Sequence, residues 1–265
     1  MPELPEVEYA AQRLKTAVLG HTLNRVRVLH PATAKYLTPA AVRALVGRRV
    51  DRIERRAKIQ LVHLDDGSVL EVHFRMTGDW EFSTPGDEAP RFERVRLETQ
   101  EGAVVSFVDS RALGVVRWHA PGEYILPPLG PEPLTEHFTV ESLQRALASR
   151  RAPIKPVLLD QRVVSGVGNI YASEALWVAK INPNTIANTI TKARLTRLRD
   201  AIREVLNAAG EARYYGTQQD PNNTSEARWR VYDREGEECI RCGSAIARIV
   251  QAARSTYFCR RCQKA

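Results

Sequence analysis

The chain has 265 residues, 43% of them hydrophobic and 26% charged, with a formal net charge of +8. That length supports one large or two medium domains with real cores. No apolar run reaches the roughly 18 residues of a membrane helix, and the acidic start is not a signal peptide, so a cytoplasmic protein is expected.

The excess charge is unevenly placed. From residue 135 onward there are 21 Lys+Arg against 13 Asp+Glu, whereas residues 1–134 carry 18 of each. A polyanion grip is expected in the second half.

In chain order, Pro2 presents a secondary amine once an initiator Met is removed. An α-amino group titrates near 8, so at neutral pH a usable fraction is unprotonated and nucleophilic. Glu3 follows, a carboxyl suited to protonating a leaving oxygen if burial raises its pKa. Glu6 falls where a helix begins, near its positive dipole end. Val7, Ala11, Leu14 and Val18 form the apolar stripe of that helix, which ends at Gly20.

Segments 22–30, 49–64, 68–83, 91–98 and 103–119 are rich in Val, Leu and Ile and bounded by turn residues, with Asp66-Gly67 as a hairpin turn. They predict a β-sandwich with the helix on its flank. A Pro/Gly-rich linker covers 121–134. Helical patterns follow at 140–150, 154–160, 169–179 and 191–210, the last with the apolar face Leu195, Leu198, Ile202, Val205 and Leu206. Residues 213–238 predict a long, mobile loop.

Four cysteines close the chain as Cys239-x2-Cys242 and Cys259-x2-Cys262, sixteen residues apart. Each CxxC turn places two sulfurs on one side of an ion, so the spacing predicts one structural tetrahedral zinc. Disulfides are disfavoured in a cytosolic chain. The β-like runs 245–250 and 255–258 predict a hairpin with Arg254 at its tip. The expected class is α+β with two domains: a β-sandwich over 1–120, a linker over 121–134, a helical domain over 135–235 and a zinc β-hairpin over 236–265.

The opening string Pro2-Glu3-Leu4-Pro5-Glu6-Val7-Glu8 resembles the start of the Fpg/Nei family of bifunctional DNA glycosylases. Leu4 resembles its formamidopyrimidine-DNA glycosylase branch; the endonuclease VIII branch typically has Gly there. The VSGVGNIYASE string at 164–174, before a helix, resembles the family's helix–two-turn–helix element. LGPEPL at 129–134 and the terminal zinc finger with Arg254 are further resemblances, so the motifs span the chain.

The resemblance implies roles by position. Pro2 would form a Schiff base at the anomeric carbon, and Glu3 would protonate the sugar ring oxygen. Lys58 would contact phosphate and move protons in β-elimination. Asn169 and Arg254 would grip phosphates flanking the lesion, and Arg254 would serve δ-elimination. His73, Arg151 and Lys155 match DNA-contacting positions, and Glu6 and Lys155 stand near the base pocket by analogy. Met76, Arg111 and Leu113 occupy the positions that fill the hole left by the extruded base, Arg111 facing the orphaned cytosine. Leu113 stands where the family has Phe; it remains an apolar wedge without an aromatic face. Ala112 replaces a common Arg, and the loop at 213–230, which caps the everted purine in that branch, shares little beyond Gly216-Thr217.

The implied activity is excision of 8-oxoguanine and formamidopyrimidines from double-stranded DNA by a monomer, followed by β- and δ-elimination at the abasic site. Two alternatives stay open: the same chemistry on oxidised pyrimidines, or a zinc protein that binds lesions without catalysis.

Overall fold

The computed structural model describes residues 1–211 and 229–264. It divides into two compact units, Met1–Pro127 and Pro128–Ala265.

The first unit opens with helix α1 (Leu4–Val18). The expected stripe is realised: Val7, Ala11, Leu14 and Val18 are all buried, with Leu4 and Ala10 beside them. Full burial of an aliphatic side chain contributes about 1.5–3 kcal/mol, so this face fixes the helix to the unit. Strands β1 (Leu23–Val28), β6 (Glu93–Thr99), β7 (Val104–Asp109) and β5 (Gly78–Ser83) form one antiparallel sheet in the order β1-β6-β7-β5. Strands β2 (Val50–Arg56), β3 (Ile59–Leu64), β4 (Val69–His73) and β8 (Val115–His119) form a second, in the order β2-β3-β4-β8. The core takes Leu14, Leu45, Val62, Val72, Trp80, Val95, Phe107 and Val116 from α1, both sheets and the helix preceding β2.

One polar side chain crosses this core. Gln60 is wholly buried; its Nε2 donates to Val7 O at 3.1 Å and its Oε1 accepts from Trp80 Nε1 at 2.7 Å. A buried amide is tolerated only when both ends are satisfied, so Gln60 ties the first turns of α1 to the sandwich.

The predicted strand regions correspond to shorter elements. Region 49–64 contains β2 and β3 joined at Ala57, 68–83 contains β4 and β5 joined through Phe74–Thr77, and 103–119 contains β7 and β8 joined through 110–114. Two short helices, α2 (Pro31–Ala34) and α3 (Pro39–Leu45), carry no sequence expectation; each starts with Pro at its first turn.

The second unit holds α4 (Val140–Leu147), α5 (Ile154–Leu158), α6 (Asn169–Val178) and α7 (Lys192–Glu211), close to their expected spans. Leu195, Leu198, Ile202, Val205 and Leu206 are buried as the stripe predicts. Strands β9 (Ala247–Gln251) and β10 (Arg254–Phe258) pair antiparallel. The tip of this hairpin is Ala252-Ala253, at φ 47° and 58°, the two left-handed residues of a tight hairpin turn. Arg254 is therefore the first residue of β10, opposite Gln251, one position past the expected tip. Most of the expected 213–238 loop, and with it the capping segment, lies outside the described residues; 229–238 is irregular chain.

Candidate active site and DNA-contacting residues

Glu3 caps α1. Its backbone N–H donates to the Glu6 carboxylate at 2.9 Å, half of a capping box, and its side chain is 1% exposed although Pro2 beside it reaches solvent. A carboxyl held out of water beside an accessible residue is suited to proton transfer. Arg55 Nε holds Glu8 at 2.6 Å and Gln60 holds Val7, so the start of α1 lies against the β2–β3 connection. Lys58, 7% exposed, sits in that connection directly after Ala57, whose φ of 55° makes the turn.

His73 ends β4, paired with Ile59 and Val115. Its Nδ1 accepts the Arg75 N–H at 3.0 Å. Burial first, then the positive charges of Arg75 and Lys58, push its pKa down to about 4. The ring is neutral at physiological pH, with its proton on Nε2.

Met76 and Leu113 are 39% and 47% exposed, and Arg111 is exposed as well. The structure does not put either apolar side chain in the core. Their loops are tied to one carboxylate, Asp109, itself 1% exposed. It accepts from Thr77 Oγ1, from Arg111 N at 3.1 Å, and from Leu113 N and Gly114 N at 2.7 Å each. Burial raises the pKa of Asp109, but the hydrogen bonds from Thr77, Gly114, Arg111 and Leu113 outweigh it and hold the carboxyl below its usual range. Gly114 is required by space: a Cβ there would lie 2.5 Å from Phe107 Cζ. Sequence reasoning passed over Asp109, although it opens the Asp109-Ser110-Arg111 string.

In the second unit Gly168 is the N-cap of α6, so Asn169 is its first residue rather than its cap. Asn169 Nδ2 donates to Ser255 O at 3.0 Å, which joins the helix start to the zinc hairpin beside Arg254. Lys155, expected among the DNA-contacting positions, faces inward. It is wholly buried, and its Nζ donates to Asn169 Oδ1, to Ser255 O at 3.0 Å and to Thr256 Oγ1 at 2.7 Å. Arg151 and Arg254 are exposed. Glu174, also unforeseen, accepts N–H groups from Arg230, Val231 and Tyr232 at 2.9–3.0 Å, anchoring the segment that leads into the finger.

The four cysteine sulfurs lie within 4.8 Å of one another, with Cys239–Cys262 at 3.9 Å and Cys242–Cys259 at 3.5 Å. Zn–S bonds of about 2.3 Å make a tetrahedron with edges of about 3.8 Å, so the residues fit zinc. Without an ion the thiols diverge: the Ser244 backbone N–H is foremost in drawing the Cys242 pKa down to about 6, while burial pushes Cys259 and Cys262 up. A zinc held by these four sulfurs would cross-link the two CxxC turns and so fix the hairpin. Gln263 docks the finger on the helices, accepting from Cys259 N at 2.8 Å and donating to Ile181 O at 3.0 Å.

A helix start with a hidden carboxyl, a Gly168-Asn169 helix start and a four-cysteine hairpin are the features that the comparison with known proteins places in one class, the DNA glycosylases with lyase activity. Comparison with known proteins is specific. Residues 1–116 match the model of the formamidopyrimidine-DNA glycosylase N-terminal domain, 129–220 that of the formamidopyrimidine-DNA glycosylase H2TH domain, and 236–265 that of the zinc finger found in FPG and IleRS. A formamidopyrimidine-DNA glycosylase of Chloroflexus aurantiacus is 41% identical, with 99% of this chain and 98% of the relative covered. Among solved structures, MutM in complex with DNA containing carbocyclic 8-oxo-G is 30% identical with a TM-score of 0.90, 100% of both chains being covered. The Lactococcus lactis Fpg in complex with DNA containing an oxidised pyrimidine is 29% identical with a TM-score of 0.90, again over 100% of both chains. The chain belongs to the formamidopyrimidine-DNA glycosylase family. It is a glycosylase and AP lyase for oxidised purines in DNA, with one structural zinc, and Schiff-base chemistry is general to its family. Among the described residues no helix is long and apolar enough to cross a membrane.

Proposed function

We propose that the processed Pro2 amine is the nucleophile. Its nitrogen attacks C1′ of the damaged nucleotide, the glycosidic bond breaks with its electron pair on the base, and Glu3 gives a proton to O4′ as the ring opens to an iminium. Loss of a C2′ proton, relayed by Lys58, expels the 3′ phosphate; a second elimination, served by Arg254, expels the 5′ phosphate and leaves a one-nucleotide gap. Asn169, Arg151 and Arg254 hold the backbone, with Lys155 positioning Asn169. Met76, Arg111 and Leu113 occupy the vacated space, His73 donates from Nε2, and Glu6 fixes Glu3. The work is placed in the bacterial cytoplasm, at the nucleoid.

The burial of Glu3 beside an accessible Pro2 carries this reading. Borohydride trapping tests it, on one duplex with 8-oxoguanine opposite cytosine and one with an abasic site. A covalent adduct on both, lost in Pro2→Gly, is expected. No adduct on either, with Met1 shown to be removed, overturns the assignment of the nucleophile. An adduct on the abasic site alone would move the substrate to other lesions. The Lactococcus lactis complex with an oxidised pyrimidine makes pyrimidines the first alternative to assay.

A further inference from the structure

Three exposed apolar side chains stand on loops tied to Asp109: Met76, Phe92 and Leu113, at 39%, 41% and 47% exposure. Sequence reasoning found a part for the first and third only. Each loop turns on a non-glycine residue with left-handed backbone: Arg75 at φ 56°, Phe92 at 63° and Ala112 at 52°. Such a conformation is costly for a bulky residue and persists where its surroundings fix it. Phe92 is fixed through Asp109. Its carbonyl accepts the Asp109 N–H at 3.1 Å, and Arg94 Nε donates to Asp109 O at 2.7 Å.

The Phe92 ring has little packing reason to be there. It is outside the core that takes Phe74 and Phe107. Its partners are guanidiniums: Arg91 Cζ lies 4.5 Å and Arg94 Cζ 5.8 Å from its centroid. An exposed aromatic flanked by arginines is the composition of a stacking platform for nucleic-acid bases.

We infer that Phe92 is the aromatic member of the base-displacing wedge. It stacks on a base next to the vacated position, and Arg91 and Arg94 bring positive charge to the adjoining phosphates. This deepens, and rests on, the reading of Met76, Arg111 and Leu113 as the wedge. Leu113 offers no aromatic face; Phe92, on a loop bonded to the backbone of the same Asp109 whose carboxylate holds Leu113 N, supplies one.

The test uses the full chain and a duplex carrying a tetrahydrofuran abasic analogue with 2-aminopurine beside it. Affinity and 2-aminopurine fluorescence are read together with the melting temperature. Phe92→Gly removes the ring and relieves the left-handed backbone. It is expected to melt no lower than the parent, yet to bind about 5- to 100-fold more weakly, the loss of one base–aromatic stack, and to change the fluorescence. Phe92→Leu, which keeps apolar bulk without a π face, is expected to lose affinity similarly, and Phe92→Tyr to retain it. Parent-like affinity and fluorescence in Phe92→Gly and Phe92→Leu would overturn the inference. Met76→Ala and Leu113→Ala in the same assay separate the two levels. If they alter the fluorescence and the Phe92 variants do not, only Phe92 is misassigned. If none of them alters it, the wedge reading fails as well.

Discussion

Asp109 and Lys155 are both buried charges with at least three hydrogen-bond partners, but they organise their units differently. Asp109 gathers backbone N–H groups from one short turn, 111–114, and reaches out to Thr77. Lys155 gathers oxygens from segments far apart in sequence, Asn169 and Ser255–Thr256. The anion shapes a loop; the cation joins a helix start to a hairpin. A buried charge is stable when its lone pairs or protons are all used, and in both places the partners lie beside exposed side chains, Met76, Arg111 and Leu113 near Asp109 and Arg254 near Lys155.

The largest effect that would break this comparison is expected at Lys155. Lys155→Met takes the ammonium donor from Asn169 Oδ1 and Thr256 Oγ1, Ser255 O keeping Asn169 Nδ2, and is expected to cost about 2–4 kcal/mol in denaturant unfolding. Affinity for abasic duplex falls because Asn169 loses its orientation, but the log–log salt slope stays as in the parent. A slope smaller by about 0.9 would mean that Lys155 neutralises a phosphate and is no positioning residue.

Asp109→Asn is expected to cost about 1–3 kcal/mol, since the amide nitrogen cannot accept from the turn. The sign of its pH dependence follows from a depressed folded pKa. The carboxylate's contribution is fully present above the unfolded value near 3.9 and fades as pH falls through the lower folded value. The stability gap between parent and Asp109→Asn therefore closes on acidification below about pH 4; a gap constant down to pH 2 would deny the carboxylate its part.

The smallest effect is expected at Ala112, whose φ of 52° is strained for any residue with a Cβ. Ala112→Gly is expected to raise stability by less than about 1 kcal/mol, the gain being limited by the larger unfolded-state entropy of glycine. A loss in the melting experiment would show that the Asp109 turn depends on the methyl group.

The legible parts of the sequence were those with strong local signals. The α1 stripe, the α7 stripe and the two CxxC turns were each written in a run of adjacent residues, and each stands where it was expected. The breaks inside 49–64, 68–83 and 103–119 were not legible, because the chain reverses there on Ala57, Arg75 and Ala112. No glycine or asparagine marks those positions, and the left-handed backbone is imposed by side-chain and sheet contacts from elsewhere. The same holds for Lys155. A lysine beside Arg151 reads as surface charge, and only the arrival of Ser255 and Thr256, a hundred residues later, buries it.

The neutral imidazole at position 73 has a kinetic consequence. With its pKa pushed down to about 4, that ring changes charge well below neutral pH. It contributes no inflection to a rate profile between pH 6 and 9. An inflection there must arise at another group; on the proposed role of Pro2, an α-amino group, whose ordinary value lies near 8, is the first to test with Pro2→Gly.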